Sequence, residues 1–180
     1  MKEKNIFQKL KNIWANFYLR RKVKALNYPA RIVNYEEAGK IGILYTLDTI
    51  ATYERIAGFV KKLQDEQKKV RALGLVKRKE DTRQFLPKLS FDFIYPGDLN
   101  WFGKPGGKYA EDFLLEELDL LLDVTKDDDF AAHYLFSLAK AKLKVGHSGA
   151  AAVQINRRQD MSLEEYLKEI DHYIRIIKKK

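Results

Sequence analysis

The sequence predicts an α/β fold: a three-layer domain on a mostly parallel sheet of five to six strands, flavodoxin-like or half-Rossmann, preceded by a basic amphipathic N-terminal helix. From residue 40 onward, short apolar runs alternate with segments of helical periodicity, the pattern of parallel strands joined by covering helices. The 180 residues, 46% of them hydrophobic, suffice for one core and one appendage. We therefore expect a helical arm over residues 1–29 and a single α/β domain over residues 30–180.

Six apolar segments predict the strands of the sheet. They are Ile41–Tyr45, Val70–Val76, Phe91–Tyr95, Leu118–Val124, Leu143–Val145 and Ala151–Ile155. The fourth segment is apolar on both faces, which indicates a strand covered by helices on both sides. The third runs into a loop rich in Pro and Gly over residues 96–107, and we expect this strand near the centre of the sheet.

Capping residues and helical spacing predict the covering helices. Asp48 or Thr49 can cap the first of them, after the first strand. A short helix is expected over residues 108–117, and another begins after the acidic run 127–129. Ser162 and Glu165 have the spacing of a capping box, which predicts the start of the last helix.

The arm carries most of the net charge of +9, because residues 1–26 hold eight Lys or Arg and one Glu and so contribute +7. A helix is predicted over residues 4–26. Its apolar stripe consists of Ile6, Phe7, Leu10, Ile13, Trp14 and Phe17. The cations that could contact a polyanion are Lys9, Lys11, Arg20, Arg21, Lys22 and Lys24.

Three kinds of partner suit a basic, aromatic helix of this kind. The first is RNA or a ribonucleoprotein such as a ribosome-like assembly, whose phosphates the cations would neutralise. The second is an anionic membrane surface, with aromatic rings at the level of the headgroups. The third is a protein partner or a second copy of the chain, contacted through the stripe of Ile6, Leu10, Trp14 and Phe17. We expect a non-catalytic binding or accessory protein whose arm contacts RNA first.

Polar residues at the predicted carboxyl ends of the strands suggest an alternative function. Ligands of open parallel sheets bind at this edge. The candidate cleft residues are Thr46, Asp48, Asn100, Trp101, Asp123 and Thr125. They would form the site of a small-molecule-binding enzyme or sensor. The same residues also suit helix caps and turns, and Trp101 suits a plug over the top of the core.

Several kinds of site are disfavoured by the sequence. Residues 46–54 read TLDTIATYE, without the glycines of a phosphate-binding loop, so we expect no nucleotide cofactor. The chain has no cysteine, which excludes disulfides and thiolate metal sites and favours a cytoplasmic location. The three histidines lack metal-binding spacing, and only His147, beside Ser148, is placed like a catalytic base. We also expect neither a membrane-spanning segment nor a secretory signal.

Three segments carry a resemblance to a known family. They are Asn100–Pro105 (NWFGKP), Leu120–Thr125 (LLLDVT) and Ala139–Gly146 (AKAKLKVG). With them the chain resembles a family of small uncharacterised proteins from Bacteroidota, defined only as a domain of unknown function. The resemblance implies the fold and the small size but no catalytic residue. Over Leu118–Gly146, the strand, helix and strand are also similar to part of the N-terminal domain of heptosyltransferase-like glycosyltransferases, which implies the same topology.

Overall fold

The computed structural model describes residues 15–26, 28–78, 85–126, 129–155, 157–158 and 160–177. Its strands are β1 (Lys40–Leu47), β2 (Lys69–Val76), β3 (Phe91–Ile94), β4 (Glu117–Val124), β5 (Lys140–Gly146) and β6 (Val153–Gln154). All pairings between them are parallel, and the sheet is open with the order β3-β2-β1-β4-β5-β6. This is the Rossmann-type order and not the flavodoxin-type order, because the chain leaves β3 and resumes on the other side of β1. The predicted α/β fold is confirmed.

Helices cover both faces of this sheet. They are α1 (residues 15–25), α2 (Ile50–Asp65), α3 (Lys108–Leu115), α4 (Phe130–Leu138) and α5 (Leu163–Ile176), and a short 3-10 helix spans Pro96–Asp98. The helices α2 and α5 share one apolar cluster with the sheet, while α3 and α4 share a second cluster. Within the described residues, every helix is too short or too polar to cross a lipid bilayer.

Two of the predicted helix caps are present. The Thr49 hydroxyl accepts a hydrogen bond from the backbone N of Thr52 at 3.1 Å, so α2 begins directly after Thr49. Ser162 and Glu165 form a reciprocal capping box at the start of α5, with distances of 3.2 and 2.8 Å. Both helices therefore begin where the side chain can satisfy a backbone amide that lacks a helical partner.

Three features of the predicted sheet are wrong in position or length. The strand β3 lies at an edge and not near the centre, since the crossover after it carries the chain past β2 and β1 to β4. Aromatic side chains, including Tyr53 of α2 and Phe85, pack against β3. The strand is therefore as apolar as a central strand, and its hydrophobicity does not indicate its edge position. The strand β5 begins at Lys140, three residues early, and β6 has only two residues.

The described part of the arm packs on the domain. Leu19 of α1 is only 2% exposed and contacts Tyr134 and Leu138 of α4. Phe17, from the predicted apolar stripe, is 56% exposed and therefore lies on a different face of α1. The other stripe residues lie outside the described residues. The helix ends at residue 25, ahead of Tyr28 and Pro29, as proline predicts.

Candidate functional site

A polar crevice opens at the carboxyl ends of β4 and β5, one strand away from the point where the strand order reverses. Its volume is about 460 Å³. The side chains lining it that can form hydrogen bonds are Asn16, Asp123, Thr125, Asp129, His133, His147 and Ser148. They come from α1, the end of β4, the first turn of α4 and the loop after β5. The crevice is thus formed jointly by the carboxyl ends of β4 and β5, the start of α4 and the helix α1 of the arm.

A buried carboxylate and a partly exposed imidazole lie side by side in the crevice. Asp123 is 2% exposed, and its Oδ1 accepts hydrogen bonds from the backbone N of Thr125 at 3.1 Å and from the Thr125 hydroxyl at 2.7 Å. Its Oδ2 lies 3.6 Å from Nδ1 of His147. Burial raises the pKa of the Asp123 carboxyl above its usual range, and His147 and the bonds from Thr125 offset only part of this effect.

The His147 imidazole has an unusual position for a polar group. Its Nδ1 is buried and makes no hydrogen bond to any described residue. The distance of 3.6 Å to Asp123 exceeds that of an ordinary hydrogen bond, although it allows an ion pair when the ring is protonated. An imidazole held beside an aspartate can accept or donate a proton at its second nitrogen.

Neighbouring groups fix the end of β4 in place. Arg157 donates hydrogen bonds to the carbonyl oxygens of Val124 at 3.2 Å and Thr125 at 2.9 Å. The buried Tyr166 hydroxyl of α5 donates to the carbonyl of Asp123 at 3.3 Å. Hydrogen bonds from Arg157 and Tyr166 therefore fix the backbone that carries the Asp123 carboxylate.

Two of the predicted cleft residues have structural partners and do not line the crevice. The Thr46 hydroxyl accepts a hydrogen bond from the backbone N of Lys126 at 3.2 Å and joins the end of β1 to the end of β4. Asp48 accepts a hydrogen bond from the Thr52 hydroxyl at 2.5 Å, next to the cap of α2. The turn between β1 and α2 thus presents a carboxylate where Rossmann-type proteins place glycines around a pyrophosphate.

A second surface lies where α1 meets the loop between β3 and α3. Nζ atoms of Lys22 and Lys104 lie 5.8 and 6.0 Å from the centre of the Tyr18 ring. Trp101 and Phe102 are exposed beside this group, and their rings meet edge to face at 5.0 Å. We call these five residues the aromatic–cationic surface. It combines a cation of the helix, a cation of the loop and three exposed rings.

Asn100 shapes the loop that carries this surface. Its side-chain oxygen accepts hydrogen bonds from the backbone N of Phe102 at 2.9 Å and of Lys104 at 3.0 Å. Asn100 also lines a cavity of about 290 Å³ under α1. Trp101 is 60% exposed, so the expected plug over the core is wrong. The loop follows the edge strand β3, and the Trp101 ring meets the Phe102 ring at the surface.

The structure thus divides the six predicted cleft residues among three places, of which the end of β1 and the turn after it hold Thr46 and Asp48. Asp123 and Thr125 line the crevice, whereas Asn100 and Trp101 belong to the loop that follows the edge strand β3. Sequence reasoning missed Asp129 and His133 as crevice residues, because a helix cap and a helical histidine look structural. The available signal was their position in the first turn of the helix that follows β4.

Four of the six predicted cations of the arm lie within the described residues. Arg20, Arg21, Lys22 and Lys24 are exposed on α1, while Lys9 and Lys11 lie outside the described residues.

Within the described residues, no group of His, Asp and Glu side chains is arranged to hold a metal ion.

Comparison with protein families identifies a match over most of the chain. The protein family described as "Family of unknown function (DUF6913)" matches residues 11–177. The chain belongs to this family. Searches of curated proteins and of solved structures gave no match to this DUF6913 chain.

In this DUF6913 protein, α1 connects the two candidate sites. Asn16 lines the crevice, whereas Ala15 and Tyr18 line the cavity at the aromatic–cationic surface. Phe130, at the start of α4, lines both cavities. The family match covers α1 together with the sheet, so both sites lie inside the matched region.

Proposed function

We propose that the protein is a non-catalytic binding protein whose aromatic–cationic surface contacts single-stranded RNA, free or within a ribonucleoprotein. The observation that supports this most directly is the convergence of Lys22 and Lys104 on the exposed Tyr18 ring. Proteins that bind single strands combine cations for the phosphates with exposed rings on which bases stack. Here both kinds of group occur within one small surface.

The charge around this surface favours the same partner. Arg20, Arg21 and Lys24 are exposed on the same helix, and the sequence of the arm carries +7. These cations would extend the phosphate contacts beyond the rings of Tyr18, Trp101 and Phe102. A longer track of positive charge suits a strand of several nucleotides.

An anionic membrane fits the described geometry less well. Rings at a membrane surface enter the boundary of the hydrocarbon, and cations remain at the headgroup level. Lys22 and Lys104 instead lie over the Tyr18 ring itself, so inserting the ring would carry an ammonium group inward. The same geometry favours cation–π contacts to an RNA base stacked nearby.

Fluorescence anisotropy with a labelled single-stranded RNA of ~10 nucleotides tests the charge contribution. We expect affinity to fall with salt, and the variant R20Q/R21Q/K22Q to bind more weakly with a logarithmic salt slope smaller by roughly 2. The control variant R55Q/K61Q/K69Q removes the same charge from exposed positions on α2 and at the start of β2. Equal weakening by both variants, or binding that does not depend on salt, would contradict the proposal.

Replacement of Trp101 tests the stacking contribution. We expect W101L to lose roughly tenfold in RNA affinity at every salt concentration, whereas W101Y keeps a ring and most of the affinity. Parallel measurements with anionic vesicles and by gel filtration examine the other two partners. Binding to vesicles without binding to RNA, or self-association abolished by changes to Ile6, Leu10 and Trp14, would replace RNA as the partner.

A further inference from the structure

We infer that the crevice at the ends of β4 and β5 binds a small, uncharged molecule rich in hydroxyl groups, held by Asp123 and His147. This site is separate from the proposed RNA contact, because neither residue belongs to the aromatic–cationic surface. Its volume of about 460 Å³ is within the usual range for small-molecule sites. The crevice also lies at the sheet edge where open parallel sheets bind ligands.

Asp123 and His147 provide the first argument. Polar groups in protein interiors are normally hydrogen-bonded, and an exception calls for a physical explanation. The Nδ1 of His147 is buried and lacks a hydrogen bond to the described residues, while Oδ2 of Asp123 lies 3.6 Å away. Both residues line an open crevice. Nδ1 itself is shielded, but the His147 side chain as a whole is 19% exposed, so a ligand hydroxyl can contact the exposed part of the ring and both donate and accept hydrogen bonds in the crevice.

The charge of the lining determines the class of ligand. The described lining includes the carboxylates of Asp123 and Asp129 but no lysine or arginine. Asp129 is already paired with Lys77 at 2.6 Å and accepts a hydrogen bond from the backbone N of Ala131 at 2.8 Å. A phosphate or carboxylate ligand would thus meet the Asp123 carboxylate, and within the described lining only the imidazoles of His133 and His147 could offset its charge.

The remaining lining suits a neutral polyhydroxyl compound. Asn16, His133 and Ser148 supply an amide, an imidazole and a hydroxyl, each able to form hydrogen bonds with a ligand hydroxyl. Phe130 and Ala132 supply apolar surface for the carbon skeleton. The described lining is thus mainly polar with a smaller apolar part, which suits a molecule whose surface consists mostly of hydroxyl groups.

The site is also rigidly supported. Arg157 and Tyr166 hold the backbone at the end of β4. The close packing of Gly146 against Asp123 positions the start of the loop that carries His147. Asn16 reaches the crevice from α1, which Leu19 fixes to α4. A preformed site loses less conformational entropy when a ligand binds.

Calorimetric titration and thermal unfolding with ribitol, D-ribose and myo-inositol test the inference on the full chain. We expect at least one of these probes to bind and raise the melting temperature. Ribose 5-phosphate and glucosamine test the two charged alternatives, and both should bind at least about tenfold more weakly than the neutral probes. Tighter binding of either charged probe, or no binding by the neutral ones at millimolar concentration, would overturn the inference.

Substitutions locate the binding to this crevice. We expect H147Q and D123N each to weaken binding about tenfold or more, while D48N, at the same sheet edge but outside the crevice, binds like the wild type. If D123N fails to fold, H147Q decides the question, because the His147 side chain is partly exposed. Unchanged binding by H147Q would overturn the inference. RNA affinity should be the same in H147Q and the wild type, so the two proposals can fail independently.

Discussion

His147 Nδ1 lies 3.6 Å from Oδ2 of Asp123 across two neighbouring strands, and the residue that permits this approach is Gly146. Gly146 is paired with Asp123 in the register of β4 and β5. A Cβ atom at residue 146 would lie 2.4 Å from the Cβ of Asp123 and 3.0 Å from its carbonyl oxygen. The glycine therefore determines how closely the two strand ends approach each other.

We expect G146A to destabilise the protein by about 2–4 kcal/mol, because the strand ends must separate to admit the methyl group. The control is G58A in α2, where an added Cβ meets no atom within 4 Å. Alanine in a helix interior should stabilise the fold by about 0.5–1 kcal/mol. Urea unfolding measures both effects. A loss of less than 0.5 kcal/mol in G146A would show that the strand ends adapt.

Leu19 and Phe17 provide a test of how α1 packs. Truncating Leu19 to alanine should cost about 2 kcal/mol, because the side chain is 2% exposed against Tyr134 and Leu138. F17A should change the free energy of unfolding by no more than about 0.5 kcal/mol, because Phe17 is 56% exposed. Hydrogen exchange should also rise in α1 in L19A alone. The opposite ranking of the two variants would mean that the other face of α1 packs on the domain.

The sequence allowed good prediction of the elements whose signals are local. Runs such as Leu118–Val124 are buried on both faces and so are apolar throughout, and the caps at Thr49 and Ser162 require only neighbouring residues. The start of β5 was missed because lysines at residues 140, 142 and 144 suggest a solvent-exposed segment. In the structure, the amine of Lys142 reaches Asp119 and that of Lys144 reaches the Ser137 carbonyl, so these side chains fit a half-buried strand.

The candidate site was only half predictable for a related reason. The rule about carboxyl strand ends selects Asp123 and Thr125, which line the crevice in the structure, because the rule depends on the strands alone. It cannot separate Asn100 and Trp101 from them, because their distance depends on the strand order and β3 proves to be an edge strand. His133 lines the crevice because of the direction in which α4 leaves the sheet. That direction depends on how α4 packs on the sheet and is not encoded in the neighbouring residues.

Asp119 should make the stability of the fold sensitive to acid. Its Oδ2 accepts hydrogen bonds from the backbone N of Gly39 at 2.8 Å and of Lys40 at 2.9 Å, and its Oδ1 accepts one from Lys142. Burial acts to raise the pKa of Asp119, but these bonds outweigh burial and lower it below its usual range. The stabilisation is therefore fully present above about pH 4 and is lost as the pH falls through the lower folded-state value.

We expect D119N to cost about 1–2 kcal/mol at pH 7, because the amide cannot replace a charged acceptor of three hydrogen bonds. D160N, whose carboxylate is exposed, should cost less than about 0.5 kcal/mol. Urea unfolding from pH 7 to pH 2 should show the difference between D119N and the wild type shrinking in acid. A difference that stays constant would show that the charge of Asp119 does not contribute.

Lys144 should also make the fold more stable as the pH rises, but in the alkaline range and because a cost is removed. Burial lowers the pKa of its amine to about 8, while its Nζ donates a hydrogen bond to the Ser137 carbonyl at 2.8 Å. Since an unfolded lysine titrates near 10.4, the unfolded chain binds more protons between these two values. The cost of holding the charged amine in the fold is thus fully present below about pH 8 and declines as the pH rises toward 10.4.

The matched variants K144M and K61M isolate this effect, because each removes one lysine and Lys61 is exposed on α2. Between pH 7 and pH 10, wild-type stability relative to K144M should rise by on the order of 2 kcal/mol, a value reduced for the partial exposure of the amine. Subtracting the profile of K61M corrects for the change in net charge. Urea unfolding at each pH gives the profiles. A flat difference for K144M would mean that the Lys144 amine stays hydrated in the folded protein and carries no such cost.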